Sequence, residues 1–327
     1  MGLTADTFNR LSIGLTNEAA AREVEQLLAA GSPGTNWYVD TFRGSSTGSF
    51  DGKSWRAPFA TMAKALTSAQ TGDTIYFRGD VREEITGDHL KFDITIVGVG
   101  GKHHPDQPAA GYDYGSTTWR PPASPTSATP LLKVRGRGWK FINVFFDCPV
   151  DSAAVYLERN ALSGTSEYDA SHASFFGCRF VDGKYGIQDV GGCYNVTVDS
   201  CEFKAMTTAA IANTSTAVAN PLNWKVRNCL FPANTSSFGN ATHIDSPLNC
   251  AHLSGNHFGT VTSTALYVDL TGGNTNVVTG NYCMGSYDTS DYVAGTGDGW
   301  SGNITADISG NSSVDASGLT IAAPGAP

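Results

Sequence analysis

The segment Trp139-Lys140-Phe141-Ile142-Asn143-Val144-Phe145-Phe146 returns further along the chain as Trp224-Lys225-Val226-Arg227-Asn228-Cys229-Leu230-Phe231. The same frame fits Phe176-Gly177-Cys178-Arg179-Phe180, Asp199-Ser200-Cys201-Glu202-Phe203, Ser254-Gly255-Asn256-His257-Phe258, Thr279-Gly280-Asn281-Tyr282-Cys283 and Ser309-Gly310-Asn311-Ser312-Ser313. Aligned, one column reads Val144, Cys178, Cys201, Cys229, Asn256, Asn281, Asn311. The column two residues on reads Phe146, Phe180, Phe203, Phe231, Phe258, Cys283, Ser313. The steps are uneven but fall within the spacing of solenoid repeats. Residues two apart on a strand share a face, and rungs stacked about 4.8 Å apart bring like residues together. Phe then stacks on Phe, Asn pairs amide to amide between rungs, and Cys serves as a small buried hydrophobe. These Cys and Asn columns read as core, not as metal ligands or nucleophiles.

A second strand frame accompanies the first, with an inward column of Val155, Ile187, Ile211, Ile244 and Leu266. The residues beside that column are expected to face outward: Ala154, Tyr156 and Glu158, then Gly186 and Gln188, Ala210 and Ala212, His243 and Asp245, and Ala265, Tyr267 and Asp269. Small residues among aromatic rings and carboxylates suit a shallow sugar-binding groove. Tyr156, Glu158, Gln188, His243 and Tyr267 are the glycan-binding candidates. Asp245 and Asp269 are the candidate catalytic pair. A two-residue offset between neighbouring rungs puts them roughly 8 Å apart, within the carboxylate spacing of inverting glycosidases. His243 is placed to tune one of them. Glu83-Glu84 and His103-His104 read as structural or solvated.

Composition narrows the rest. The chain has 327 residues, 37 Gly and only 16% charged residues, which suits short strands and tight turns. The formal charge is -9, and no run of Lys or Arg offers a phosphate-binding surface, so nucleic acid is not an expected partner. No stretch is long and apolar enough to span a bilayer, and membrane insertion is not expected. The first residues lack the basic and apolar regions of a secretory signal. The seven Cys form no CxxC pair, so no metal and no cofactor is expected, and synthesis in a cytoplasm is.

Leu3 to Ile13 has a partly amphipathic helical pattern. A second helix runs from Glu18 to Ala30, capped by Thr16 or Asn17, with Gly31-Ser32-Pro33-Gly34 as a linker. Then come Tyr38-Val39-Asp40, Asp51-Gly52, Pro58-Phe59-Ala60-Thr61, Lys64-Ala65-Leu66 and Gly72-Asp73-Thr74-Ile75-Tyr76. This series resembles the N-terminal cap of pectate-lyase-like β-helix proteins, with Leu90-Lys91-Phe92 and Ile94 to Gly98 as early rungs. Gly101 to Pro130 reads as a long excursion.

The fold implied is all-β: a single-stranded right-handed parallel β-helix with a short N-terminal helical segment. The divisions are an attachment segment and linker at 1–34, a cap at 35–80, the β-helix at 81–316 and a tail at 317–327. The combination also resembles bacteriophage virion spikes, tailspikes and head decorations. That resemblance implies a structural virion surface protein, made in the host cytoplasm and docked on phage particle proteins through its N-terminal helices. It also implies a homotrimer that binds host polysaccharide. The alternative is a tailspike depolymerase, a hydrolase or lyase of host surface polysaccharide. A calcium-dependent lyase would need a stacked acidic cluster with a nearby base, and the sequence assembles none. A cellular carbohydrate-active protein is the third reading.

Overall fold

The computed structural model describes residues 34–45, 47–100, 117–125, 128–149, 151–160, 168–214, 220–232, 239–261, 266–284, 291–306 and 312–313. The two expected N-terminal helices, His103-His104, Ala265, Asn311 and the expected tail lie outside them.

The strands stack in parallel, rung on rung, along three walls. The first sheet runs from Asn36–Asp40 through Thr95–Gly98, Lys140–Ile142, Ser174–Phe176, Thr197–Asp199, Lys225–Arg227, His252–Ser254 and Val277–Thr279 to Gly299–Ser301. The second includes Thr117–Arg120, Phe145–Asp147, Arg179–Val181, Glu202–Lys204, Leu230–Phe231, His257–Phe258, Tyr282–Met284 and Ile304–Ala306. The long strand Thr74–Arg82 contributes to both. The third holds Ile85–Thr86, Leu132–Val134, Ala153–Glu158, Tyr185–Val190, Ala209–Asn213, Ile244–Asp245, Val268–Asp269 and Tyr292–Val293. The parallel β-solenoid expected from the repeat is therefore present.

The corner between the first two walls explains the repeat. Asn143, Gly177, Ser200, Asn228, Gly255, Gly280 and Gly302 all have φ between 55° and 64°. One left-handed residue turns the chain at each rung. Gly and Asn take that conformation more readily than bulkier residues. The next residue then points inward, which gives the Cys and Asn column. The column two further on is a stack of aromatic rings, with centroid distances of 5.1 Å for Phe146–Phe180, 4.6 Å for Phe180–Phe203, 5.2 Å for Phe203–Phe231 and 5.1 Å for Phe231–Phe258. Trp119 continues it at 6.0 Å from Phe146. The expected excursion thus contains a rung strand, Thr117–Arg120, whose Trp119 is fully buried.

The last frame is corrected. The rung above Asn281 is Ser301-Gly302-Asn303, where Asn303 Oδ1 accepts from Asn281 Nδ2 at 2.9 Å. Ser312–Ser313 instead pair antiparallel with Thr305 and Ala306. Leu90–Phe92 form no strand. Lys91 reaches back so that its ammonium donates to the carbonyls of Leu66 and Thr67, at the end of the helix Met62–Ser68. Glu83 serves the other end, its carboxylate accepting from the Met62 and Ala63 N–H groups at 2.7 and 2.9 Å. The helix buries Met62, Ala65 and Leu66 in the core.

The inward column of the third wall is corrected at one rung. It reads Val155, Ile187, Ile211, Ile244 and Val268, not Leu266. Leu266 and Val268 have the same parity, so a period-two pattern cannot choose between them.

Candidate functional site

The outward residues of the third wall form one column in register: Lys133, Tyr156, Gln188, Ala212, Asp245, Asp269. Five rung steps make a strip about 24 Å long. At one end the Lys133 ammonium lies 5.0 Å from the centre of the Tyr156 ring. Gln188 Nε2 donates to Thr214 Oγ1 at 2.8 Å. Lys133, Tyr156, Gln188 and Asp269 are half-buried and Asp245 is exposed, whereas Ala212, though in register with them, is buried.

Asp245 and Asp269 are directly opposite each other across one rung. The expected two-residue offset is absent, because the register moves with Val268. Their backbones are thus one rung apart, about 4.8 Å, and the separation expected for an inverting pair is withdrawn. Partial burial, and then the negative charge of Asp269, raise the Asp245 carboxyl above its ordinary range. The hydroxyl of Tyr185 is raised by burial and then by Asp245 and Asp151.

Four expected outward residues face the core. Ala154, Gly186, Ala210 and His243 are all buried. A Cβ on Gly186 would come within 2.7 Å of Phe203 Cδ1, so this column points at the Phe stack. Simple alternation fails where the chain enters the third wall, since two successive side chains turn inward. His243 consequently leaves the set of glycan-binding candidates. Its ring packs 5.3 Å from Phe231 and 6.0 Å from Phe258. Its Nε2 is 2.6 Å from the Gly259 carbonyl oxygen, and Asn240 Nδ2 lies 3.3 Å from its Nδ1. Burial lowers its pKa to about 4. It does not tune the carboxylates. Tyr267 is partly buried against the core, with its ring 6.1 Å from His243 and 5.4 Å from Tyr292.

Glu158 is tied to Arg135 in an ion pair. That pair opens onto a cluster the sequence reading missed, at the corner where the third wall passes to the first. Arg135 lies 4.1 Å from the centre of the Tyr168 ring. Arg159 lies 5.3 Å from that of Tyr194, and His172 packs edge-on to the same ring at 5.1 Å. Arg137 pairs with Asp169 at 2.6 Å. No repeat column contains these residues, because the loops at this corner differ in length from rung to rung. Only spatial proximity joins them. Behind the wall, Asp189 is buried and accepts from the Cys193 N–H at 3.0 Å and from Asn213 Nδ2. Burial raises its pKa despite those hydrogen bonds. Among the described residues, no group of three or more His, Cys, Asp or Glu side chains is arranged to hold a metal ion. No described helix is long and apolar enough to cross a membrane.

Stacked parallel walls with inward aromatic and Asn ladders define a parallel β-solenoid. Solved structures similar to the chain include the GH136 lacto-N-biosidase from Eubacterium ramulus, at 12% identity and a TM-score of 0.46, with 89% of this chain and 68% of that chain covered. Pectate lyase Pel9A is similar at 14% identity and a TM-score of 0.47, covering 84% and 72%. ORF18 of Geobacillus virus E2 is similar at 15% identity and a TM-score of 0.41, covering 89% and 64%. No protein-family model and no curated protein matches the chain.

Proposed function

We propose that the chain is a glycan-binding surface protein of a bacteriophage virion, a spike or head decoration, with the third wall as its sugar-binding face. The observation that carries the glycan reading is the in-register strip Lys133–Tyr156–Gln188–Ala212–Asp245–Asp269. It combines an aromatic ring with hydrogen-bonding groups on either side of the buried Ala212, and its length suits an extended oligosaccharide lying along the solenoid axis. The virion setting rests on the sequence resemblance, as do docking through residues 1–34, projection of the 81–316 solenoid, and a homotrimer. A right-handed coil is the hand that parallel strand crossovers overwhelmingly adopt.

The test is binding of the full chain to host-surface polysaccharides, wild type against Tyr156→Ala/Gln188→Ala. Loss of binding in the folded double variant supports the wall as the binding face. Equal binding places the sugar elsewhere.

The hydrolase reading has one specific observation in its favour. Asp245 is pushed toward its protonated form by partial burial and by the charge of Asp269 one rung away, and a raised carboxyl facing a second carboxyl group is the arrangement from which a general acid can be drawn. New reducing ends from an incubated polysaccharide, lost in Asp245→Asn, would establish it.

A further inference from the structure

We infer that the outer face of the second wall is covered, over its last rungs, by the chain's own residues 314–327, which dock on an apolar stripe made by Leu230, His257, Tyr282 and Ile304. Residues 314–327 lie outside the described residues, and the stripe is what assigns them a place. The inference is independent of the glycan reading, which concerns the third wall.

The four stripe residues are in register on successive strands of the second wall. Each alternates with a buried neighbour and so faces outward. Leu230 is 39% exposed, Tyr282 37% and Ile304 43%. His257 fills the rung between Leu230 and Tyr282, its ring edge-on to that of Tyr282 at 4.6 Å. Burial lowers its pKa, so the ring adds no charge at neutral pH. Met284 is half-buried on the same face, two residues beyond Tyr282. Single exposed apolar residues are ordinary, but an unbroken file of them marks a surface that something covers. The column changes character one rung before the stripe. There Leu230 pairs with Glu202, whose carboxylate is in an ion pair with Arg179 at 3.1 Å. The column is thus charged up to Glu202 and uncharged on the four rungs that follow.

Those four rungs are the ones that the end of the chain reaches. Ser312–Ser313 run antiparallel beside Thr305 and Ala306, so the chain leaving Ser313 heads back toward the level of Ile304. From Ile304 to Leu230 the stripe takes three rung steps, about 14 Å, and an extended chain from Val314 to Ile321 spans about 23 Å. The chemistry also matches. Asp315 is the only charged side chain in residues 314–327, and Leu319 and Ile321 share a face of an extended segment. Tethering to Ser313 holds this segment at a high effective concentration beside the stripe, an advantage that a second copy lacks.

The experiment places a photoreactive benzophenone side chain on the stripe of the full chain, as Tyr282→p-benzoylphenylalanine, and irradiates it at low protein concentration. Thermal melting confirms folding, and the same group at Leu230 guards against local damage at position 282. Gels and peptide mass spectrometry identify the product. The expected result is a cross-link within one chain, from the stripe to a peptide of residues 314–327. Adding Leu319→Asp/Ile321→Asp should lower its yield about tenfold or more, since two apolar anchors are lost. Cross-linking within one chain to other segments only, a product of twice the mass, which would give the stripe to a second copy, or an undiminished yield in the folded Leu319→Asp/Ile321→Asp protein each overturns the inference.

Discussion

Asn256 and Asn281 are joined through a single oxygen. Asn281 Oδ1 accepts from the Asn256 backbone N–H at 2.8 Å and from Asn256 Nδ2 at 2.9 Å. Asn281 Nδ2 in turn donates to Asn303 Oδ1 and to the Leu253 carbonyl, both at 2.9 Å. The ladder satisfies buried polar groups that the left-handed corner would otherwise leave without partners.

Asn281→Ala should therefore cost more than one hydrogen bond. It strands the Asn256 N–H and the Leu253 carbonyl in a dry core, at about 1–3 kcal/mol for each unmet group. The urea midpoint should fall clearly below that of wild type. A shift no larger than that of a surface Asn→Ala control would refute the ladder's role.

Phe203 sits fully buried between Phe180 and Phe231. Phe203→Ala should lose about 3–5 kcal/mol from the cavity it opens. Phe203→Asp should lose more, since it places a carboxylate among stacked rings with no partner. Melting curves of the two variants check the order. An Asp variant as stable as the Ala variant would mean the side chain escapes the core.

The buried His243 makes stability depend on acid. Its folded pKa of about 4 lies below the unfolded value, so the unfolded chain binds the extra proton. The contribution is complete above the unfolded pKa, near 6.5, and is lost as pH falls toward 4, up to about 3 kcal/mol by linkage. Denaturant midpoints at pH 7 and pH 4.5 should fall further for wild type than for His243→Gln, where this site has no proton to take up. Identical slopes for both proteins would sink the assignment.

Asp245 behaves in the opposite sense. Its carboxyl is raised by partial burial and by Asp269, so the stability tied to its protonated form is lost as pH rises through the raised value. Asp245→Asn should then be neutral or stabilising by a few tenths of a kcal/mol at pH 7, the scale of exposed charge pairs. A clearly destabilised variant would show that the charged form is the one the fold prefers.

The aromatic and Asn columns were legible because a solenoid repeats its local chemistry. Phe180, Phe203, Phe231 and Phe258 recur in the frame and stack in space, since identical left-handed corners bring each rung back to the same phase. Asn303 was missed because its neighbours, Trp300, Ile304 and Thr305, carry none of the Phe signal. The third wall was legible only in parity. Leu266 and Val268 are interchangeable to an alternating pattern, so the register of Asp245 on Asp269 awaited the backbone pairing. His243 was misplaced because two successive residues turn inward at that corner.

The sequence by itself determined the parallel solenoid, its inward ladders and the outward position of Tyr156, Gln188, Asp245 and Asp269. All of these follow from period-two alternation repeated rung after rung. Only the tertiary structure decided that Asp245 and Asp269 lie one rung apart, that His243 is a core residue, and that Arg159, Tyr168 and Tyr194 meet at one corner. Those relationships depend on register and on loops of unequal length. Neither leaves a periodic trace in the chain, because the contacts that set them join residues whose spacing changes from one rung to the next.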